Sequence, residues 1–146
     1  MILPIQMLHE GARAPTYATD GSGAFDLYAC ADILVWTAQE SASLVDTGIA
    51  LAIPEGHVML IFARSGHAST RGLRPANCVG VIDSDYRGSV KVPLVSDHPL
   101  ESGLLVKAGD RIAQALIVPA PRVVFDQVLF LPPTERGAGG FGSTGT

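Results

Sequence analysis

The residues best placed to do chemistry fall in five short stretches of the chain. In NCVGVIDSDYRGSVKV, Asp83 follows the apolar Val79, Gly80, Val81 and Ile82. A carboxylate at the rim of a core is placed to orient and deprotonate a water, although Asp-Ser-Asp-Tyr-Arg-Gly is equally ordinary turn chemistry. In ARSGHAST, Arg64, Ser65 and Gly66 sit between an apolar run and the one segment that reads as a helix. Free N–H groups, a hydroxyl and a guanidinium fork there favour an anion, against the plainer reading of a helix cap beside a surface arginine. In SGAFDLYAC, Asp26 stands between Phe25 and Leu27, where an acid needs a partner or a cation. In GDRIAQ, Gln114 falls among aliphatics. Near the end, GAGGFG satisfies the GxGxxG pattern but lacks the following helix and distant acid of a dinucleotide turn. Arg136, Phe141, Ser143 and Thr144 among those glycines could instead close on a ligand, cation and hydroxyls on phosphate and ring on base; a flexible tail is the alternative.

Composition limits what these groups can serve. With Lys+Arg 10 against Asp+Glu 14 and a net charge of −4, no basic field exists for a nucleic-acid polymer. Cys30 and Cys78 form no CxxC and the four histidines form no HExxH, so zinc chemistry has no ligand pattern. No apolar run reaches ~18 residues, and MILPIQMLHE lacks a basic flank, so neither a membrane span nor a secretion signal is expected. A cytoplasmic protein with free thiols follows. Its 146 residues suffice for one self-supporting core, and 47% hydrophobic against 16% charged residues suits a chain that hides further surface in an oligomer.

The elements that must position these groups read as strands. β-prone runs recur at 33–36, 43–53, 57–63, 78–82, 89–95, 111–118 and 123–131, separated by turn clusters fed by 16 glycines and 10 prolines. Val90, Val92 and Leu94 share one face, and alternation puts Ile112, Gln114, Leu116 and Val118 on another. The runs at 78–82 and 89–95 predict a β-hairpin with Asp83 at its mouth. The helix opens at Ser65, a residue able to cap, and closes on Gly72. After Pro132 and Pro133 the chain loses apolar periodicity, which predicts a mobile tail over 132–146 following a β-domain over 1–131.

In this order GAFDLYA, ARSG, NCVGVIDSDYRG, GDRIAQ and RGAGGFGSTG resemble the five motifs of the trimeric dUTP diphosphatases, or dUTPases, from about residue 20 to the end. His67 stands where that family usually carries an aliphatic residue, and Ser69-Thr70-Arg71 replaces a more usual basic pair. The resemblance implies an all-β, distorted jelly roll, β-clip-like with one short helix, forming a homotrimer whose active sites draw on different subunits. It also implies Mg²⁺-assisted hydrolysis of dUTP to dUMP and diphosphate, which keeps uracil out of DNA and supplies dUMP for dTMP synthesis.

Carried over residue by residue, Asp83 is the base that activates water for in-line attack on the α-phosphorus. Tyr86 packs against the deoxyribose, and Asn77 with the backbone around Val81, Ile82 and Lys91 reads the uracil edge. Arg64, Ser65 and Gly66 hold the phosphates, with Gln114 facing them or the metal's water shell. Asp26 meets Mg²⁺ through a coordinated water. Arg136 grips the γ-phosphate, Phe141 covers the uracil, and Gly142, Ser143 and Thr144 close the lid. A dCTP deaminase on the same fold and a nucleotide-binding regulator are the rivals; the VIDSDY run argues against the first, and an intact Asp83 and tail weaken the second.

Overall fold

The computed structural model describes residues 1–37, 41–97 and 103–140. Among them the chain forms β1 (Ile5–Met7), β2 (Thr16–Tyr17), β3 (Phe25–Tyr28), β4 (Ile33–Val35), β5 (Ser43–Asp46), β6 (Ile49–Leu51), β7 (His57–Phe62), α1 (Ser65–Arg71), β8 (Leu73–Pro75), β9 (Gly80–Ile82), β10 (Lys91–Ser96), β11 (Leu104–Val106) and β12 (Arg111–Pro119). The all-β expectation with one short helix holds.

A five-stranded antiparallel sheet, in the order β2-β3-β12-β7-β9, packs over a three-stranded sheet, β5-β10-β8, with the pairs β1-β6 and β4-β11 beside them. Alternation sorts the side chains. Leu27, Met59, Ile61, Ala113 and Ala115 point inward from the larger sheet to meet Val45, Val92 and Leu94 from the smaller one. Val90, Val92 and Leu94 are all buried, as the sequence predicts.

Four sequence expectations give way. The run at 43–53 breaks into β5 and β6 at Gly48, whose φ of 67° admits glycine readily. The break is pinned by the Gly48 N–H donating to Asp46 Oδ1 at 2.7 Å and by Thr47 Oγ1 donating to the Val90 carbonyl at 2.6 Å. It sends β5 to the smaller sheet and β6 to β1. The predicted hairpin does not form: β9 pairs with β7 and β10 pairs with β5 and β8, so the Asp83 turn joins two sheets. The helix is capped by Arg64 without a side-chain hydrogen bond, so Ser65 is its first residue and not its cap; Gly72, φ 59°, closes it.

The fourth is the stretch at 123–131, which is unpaired and exposed among the described residues. Val124 is 96% accessible, Phe125 93% and Leu129 94%. Its β-prone residues have no core within this chain to pack on. Residues 132–140 continue it with exposed turns, and the remainder of the expected tail, 141–146, lies outside the described residues.

Candidate active site

Register brings distant motifs together on the outer face of the large sheet. On β12, Gln114 lies opposite Asp26 of β3 on one side and Phe62 of β7 on the other, so the three form one row across the sheet. The chain leaving β7 at Phe62 turns through Ala63 and Arg64 into α1, which sets Arg64, Ser65 and Gly66 at the end of that row. Asp26, Arg64, Ser65, Gly66 and Gln114, with Ala18, Ser22, Gly23 and Ala24, line a cavity of ≈ 240 Å³.

The expected alternation along β12 fails here for a physical reason. A β-bulge at Ile112 sets Arg111 opposite Tyr28 but Ala113 opposite Leu27, so Ile112 and Ala113 are both buried. Gln114 therefore shares the outer face with Leu116 and Val118, away from the core. Its amide is not misplaced: Nε2 donates to the Ala63 carbonyl at 3.0 Å, tying β12 to the turn that carries Arg64.

Asp26 is buried, its side chain 9% exposed, and each carboxylate oxygen accepts from a guanidinium. Arg64 Nε donates to Oδ1 at 2.7 Å and Arg111 Nη1 to Oδ2 at 3.3 Å. Leaving such a carboxylate unpaired would cost several kcal/mol by order of magnitude, roughly 3–5. Arg111 stands inside GDRIAQ but has no role legible from the sequence; the bulge is what brings it to Asp26. His67 flanks the cluster, and burial, then the charges of Arg64 and Arg71, hold its imidazole below the usual histidine range.

Asp83 lies elsewhere. β9 runs antiparallel to β7 with Ile82 opposite Met59, so Asp83 falls level with Val58, at the other end of β7 from Arg64. It lines a second cavity of ≈ 840 Å³ with Val81, Ser84, Asp85, Arg87, His57 and Arg122 among others. Its carboxylate is exposed and takes no hydrogen bond or ion pair among the described residues. The carbonyl of Asp83 accepts from Tyr86 N–H at 3.2 Å, closing a turn. Tyr86 Oη donates to the Ser89 carbonyl at 3.0 Å, and its ring crosses Gly88 so closely that an added Cβ would lie 2.5 Å from the hydroxyl. Glycine at 88 is what lets the ring lie there.

Asn77, Val81 and Lys91 are exposed, and Ile82 is half-buried. Ala76 N–H donates to the Pro93 carbonyl at 2.7 Å, which keeps Asn77 beside the start of β10, where Lys91 lies. The Lys91 ammonium faces Asp46 at 3.6 Å. Between Asn77 and Val79 the backbone doubles back through Cys78, φ 62°, with Val79 N–H donating to the Asn77 carbonyl at 2.6 Å. Arg136 is exposed, its Nε donating to the Gly139 carbonyl at 2.8 Å. Phe141, Gly142, Ser143 and Thr144 lie outside the described residues.

The two clusters share a face but not a place. From Asp26 to Asp83 is four residues along the strands and three strands across, roughly 20 Å at ~3.3 Å per residue and ~4.8 Å per strand. Val58, Leu60, Leu116 and Val118, none fully buried, occupy the face between them.

Among the described residues no group of three or more His, Cys, Asp or Glu could cage a metal. What the site offers is one buried carboxylate beside a guanidinium-lined cavity. That donor set fits a hard ion that keeps most of its water and is held mainly by ligand phosphates.

A family model described as dUTPase matches residues 10–145. The chain is 42% identical over 145 residues to the deoxyuridine 5′-triphosphate nucleotidohydrolase of Dictyoglomus turgidum, covering 97% of this chain and 96% of that one. Among solved structures it is similar to a dUTPase variant of Staphylococcus bacteriophage 80alpha with dUpNHpp, at TM-score 0.85 and 27% identity over 99% of each chain. It also shares its fold with a dUTPase variant from phage phi11 of S. aureus described for its coordination of a structural Mg(II) ion, at TM-score 0.78 and 22% identity, covering 89% of this chain and 98% of that one.

Proposed function

The chain belongs to the dUTPase family and is a dUTP nucleotidohydrolase with a jelly-roll fold, and from that premise we propose how its residues divide the work. Asp83 accepts a proton from a water that attacks the α-phosphorus in line, releasing diphosphate and leaving dUMP. An exposed carboxylate with no partner is free to hold that water. Arg64, Ser65, Gly66 and Gln114 receive the phosphate chain in the smaller cavity. Asn77 and the backbone at Val81, Ile82 and Lys91 read the uracil edge, and Tyr86, held over Gly88, packs beneath the deoxyribose. Unpaired polar groups would make cytosine costly to admit.

The family requires a divalent cation, and Mg²⁺ is the ion we assign. Asp26 would meet it through a coordinated water, and its charge would offset that of the phosphates. The tail from residue 132 acts as a lid over the β-domain of residues 1–131. Arg136 grips the terminal phosphate, Phe141 covers the base, and Gly142, Ser143 and Thr144 exclude water.

Asp83 and Arg64 lie at opposite ends of β7, whereas reacting groups must approach to about 3–3.5 Å. They therefore serve one phosphorus only if they come from different copies. A homotrimer with shared sites supplies that arrangement. The exposed apolar stretch at 123–131 and the apolar strip of Val58, Leu60, Leu116 and Val118 are surface such an assembly would cover. No helix among the described residues is long and apolar enough to cross a membrane. A cytoplasmic role in keeping uracil out of DNA and providing dUMP for dTMP synthesis completes the reading.

The separation of Asp83 from Arg64 carries this proposal, and two measurements test it. Hydrolysis in ¹⁸O-water should place the label in dUMP; label in diphosphate would mean attack at another phosphorus. Chains carrying Asp83→Asn and chains carrying Arg64→Met, each inactive alone, should regain activity when unfolded and refolded together. Failure of the mixture to exceed its components refutes shared sites.

A further inference from the structure

We propose that Arg111 serves the phosphate cluster in two ways: it holds Asp26, which in turn aims Arg64, and it leaves the cluster with the net positive charge that favours a phosphate. The inference rests on the reading of that cluster as the subsite for phosphate and hydrated cation.

Three observations carry it. Arg111 and Gln114 are three residues apart on one strand, so strict alternation would put them on opposite faces. The bulge at Ile112 cancels that, placing Arg111 opposite Tyr28 and on the same face as Asp26 and Gln114. The side chain uses the position: Nη1 donates to Asp26 Oδ2 at 3.3 Å while Arg64 Nε takes Oδ1 at 2.7 Å. The carboxylate they share is 9% exposed, so its orientation is set by these two partners and not by solvent.

Charge makes the arrangement asymmetric in its consequences. Asp26 with Arg64 and Arg111 carries a net +1, which favours an anionic ligand. Without Arg111 the remaining pair is neutral, and Asp26 is less screened from an approaching cation. Loss of Arg111 should therefore weaken phosphate binding without weakening Mg²⁺ dependence. A purely structural arginine would, when removed, degrade both together.

The test compares wild type with Arg111→Gln, which stays polar but loses the charge, and Arg111→Lys, which keeps the charge and loses the guanidinium fork. Binding of dUpNHpp is measured by calorimetry in EDTA, and the Mg²⁺ half-saturation from dUTP turnover. Arg111→Gln should bind dUpNHpp about tenfold more weakly, with a Mg²⁺ half-saturation equal to or below that of wild type; Arg111→Lys should fall between. Affinity within twofold of wild type in Arg111→Gln, a half-saturation that rises in step with it, or Arg111→Lys no better than Arg111→Gln overturns the inference. If one variant fails to fold, the other decides, since Arg111→Lys at wild-type affinity also removes the need for the fork. Wild-type protein that neither binds dUpNHpp nor hydrolyses dUTP would instead overturn the reading of the site itself.

Discussion

At one end of the outer sheet face Asp26 has both carboxylate oxygens taken by guanidinium groups, while some 20 Å away by strand geometry Asp83 offers a carboxylate with no partner among the described residues. The first region is complete within one chain. Three strands, a bulge and a helix start fix it, and its one carboxylate is held by two guanidinium groups, which leaves a net positive charge. The second is a turn between two sheets, held by Tyr86 and Ser89, whose acid faces outward. The difference suits the two tasks proposed for them: groups that bind a polyanion gain from being fixed beforehand, whereas a base must keep a free lone pair for the water it deprotonates.

The most severe test removes the proposed base alone. Asp83→Asn should lower kcat by about 10³-fold, within the range for general-base catalysis, yet leave dUpNHpp affinity within twofold. The substitution touches no ion pair of the phosphate cluster. A parallel loss of affinity in calorimetry would show that the two regions are not separate in function. Next in size is truncation before Arg136, which removes most of the proposed lid and no core residue. Turnover should fall at least about 10²-fold, the loss expected from Arg136 as a single charge-stabilising donor, while sedimentation shows unchanged assembly. Collapse to monomers would make the tail an assembly strap.

The two regions were also unequally legible in the sequence. Motif chemistry marked Asp26, Arg64 and Gln114 as separate candidates, and the period of two correctly buried Val90, Val92 and Leu94. What alternation could not reveal was the extra residue at Ile112, because a bulge depends on the partner strand, and with it went Arg111 and the true face of Gln114. Asp83 was legible as a carboxylate after an apolar run, but its hairpin was not. Local turn chemistry at 83–88 is the same whether the following strand pairs back or crosses to the other sheet. The stretch at 123–131 failed as a strand because β-propensity measures fit to a half-buried surface, and this chain alone supplies none.

A subtler probe sharpens the contrast by uncoupling stability from binding. Gly66 lies in α1, and a Cβ built there meets nothing within 4 Å. Alanine should therefore raise helix stability by up to ~1 kcal/mol, seen as a higher Tm. In the proposed site the same methyl would stand where phosphate approaches the backbone, so KM for dUTP should rise about tenfold with kcat little changed. If KM stays constant, Gly66 belongs to the helix and not to the ligand.

The smallest effect concerns how the Asp83 turn is moored. Asp46 accepts hydrogen bonds from Ser89 Oγ and Gly48 N–H and faces Lys91, so the end of that turn is tied to β5 through one carboxylate. Burial opposes its ionisation, but those hydrogen bonds and the Lys91 charge outweigh burial and hold it below the usual aspartate range. A depressed carboxylate adds stability in full above its unfolded value, near 4, and loses it as pH falls through the lower folded value. Asp46→Asn should thus cost about 1 kcal/mol at pH 7, discounted for a side chain one third exposed, and the gap to wild type should close below pH 4. The Asp46 side chain makes no hydrogen bond or ion pair with the Asp26 cluster among the described residues, so the variant should keep its phosphate affinity while its turnover falls modestly. A stability gap that stays open in acid would mean that Asp46 holds the turn by packing and not by charge.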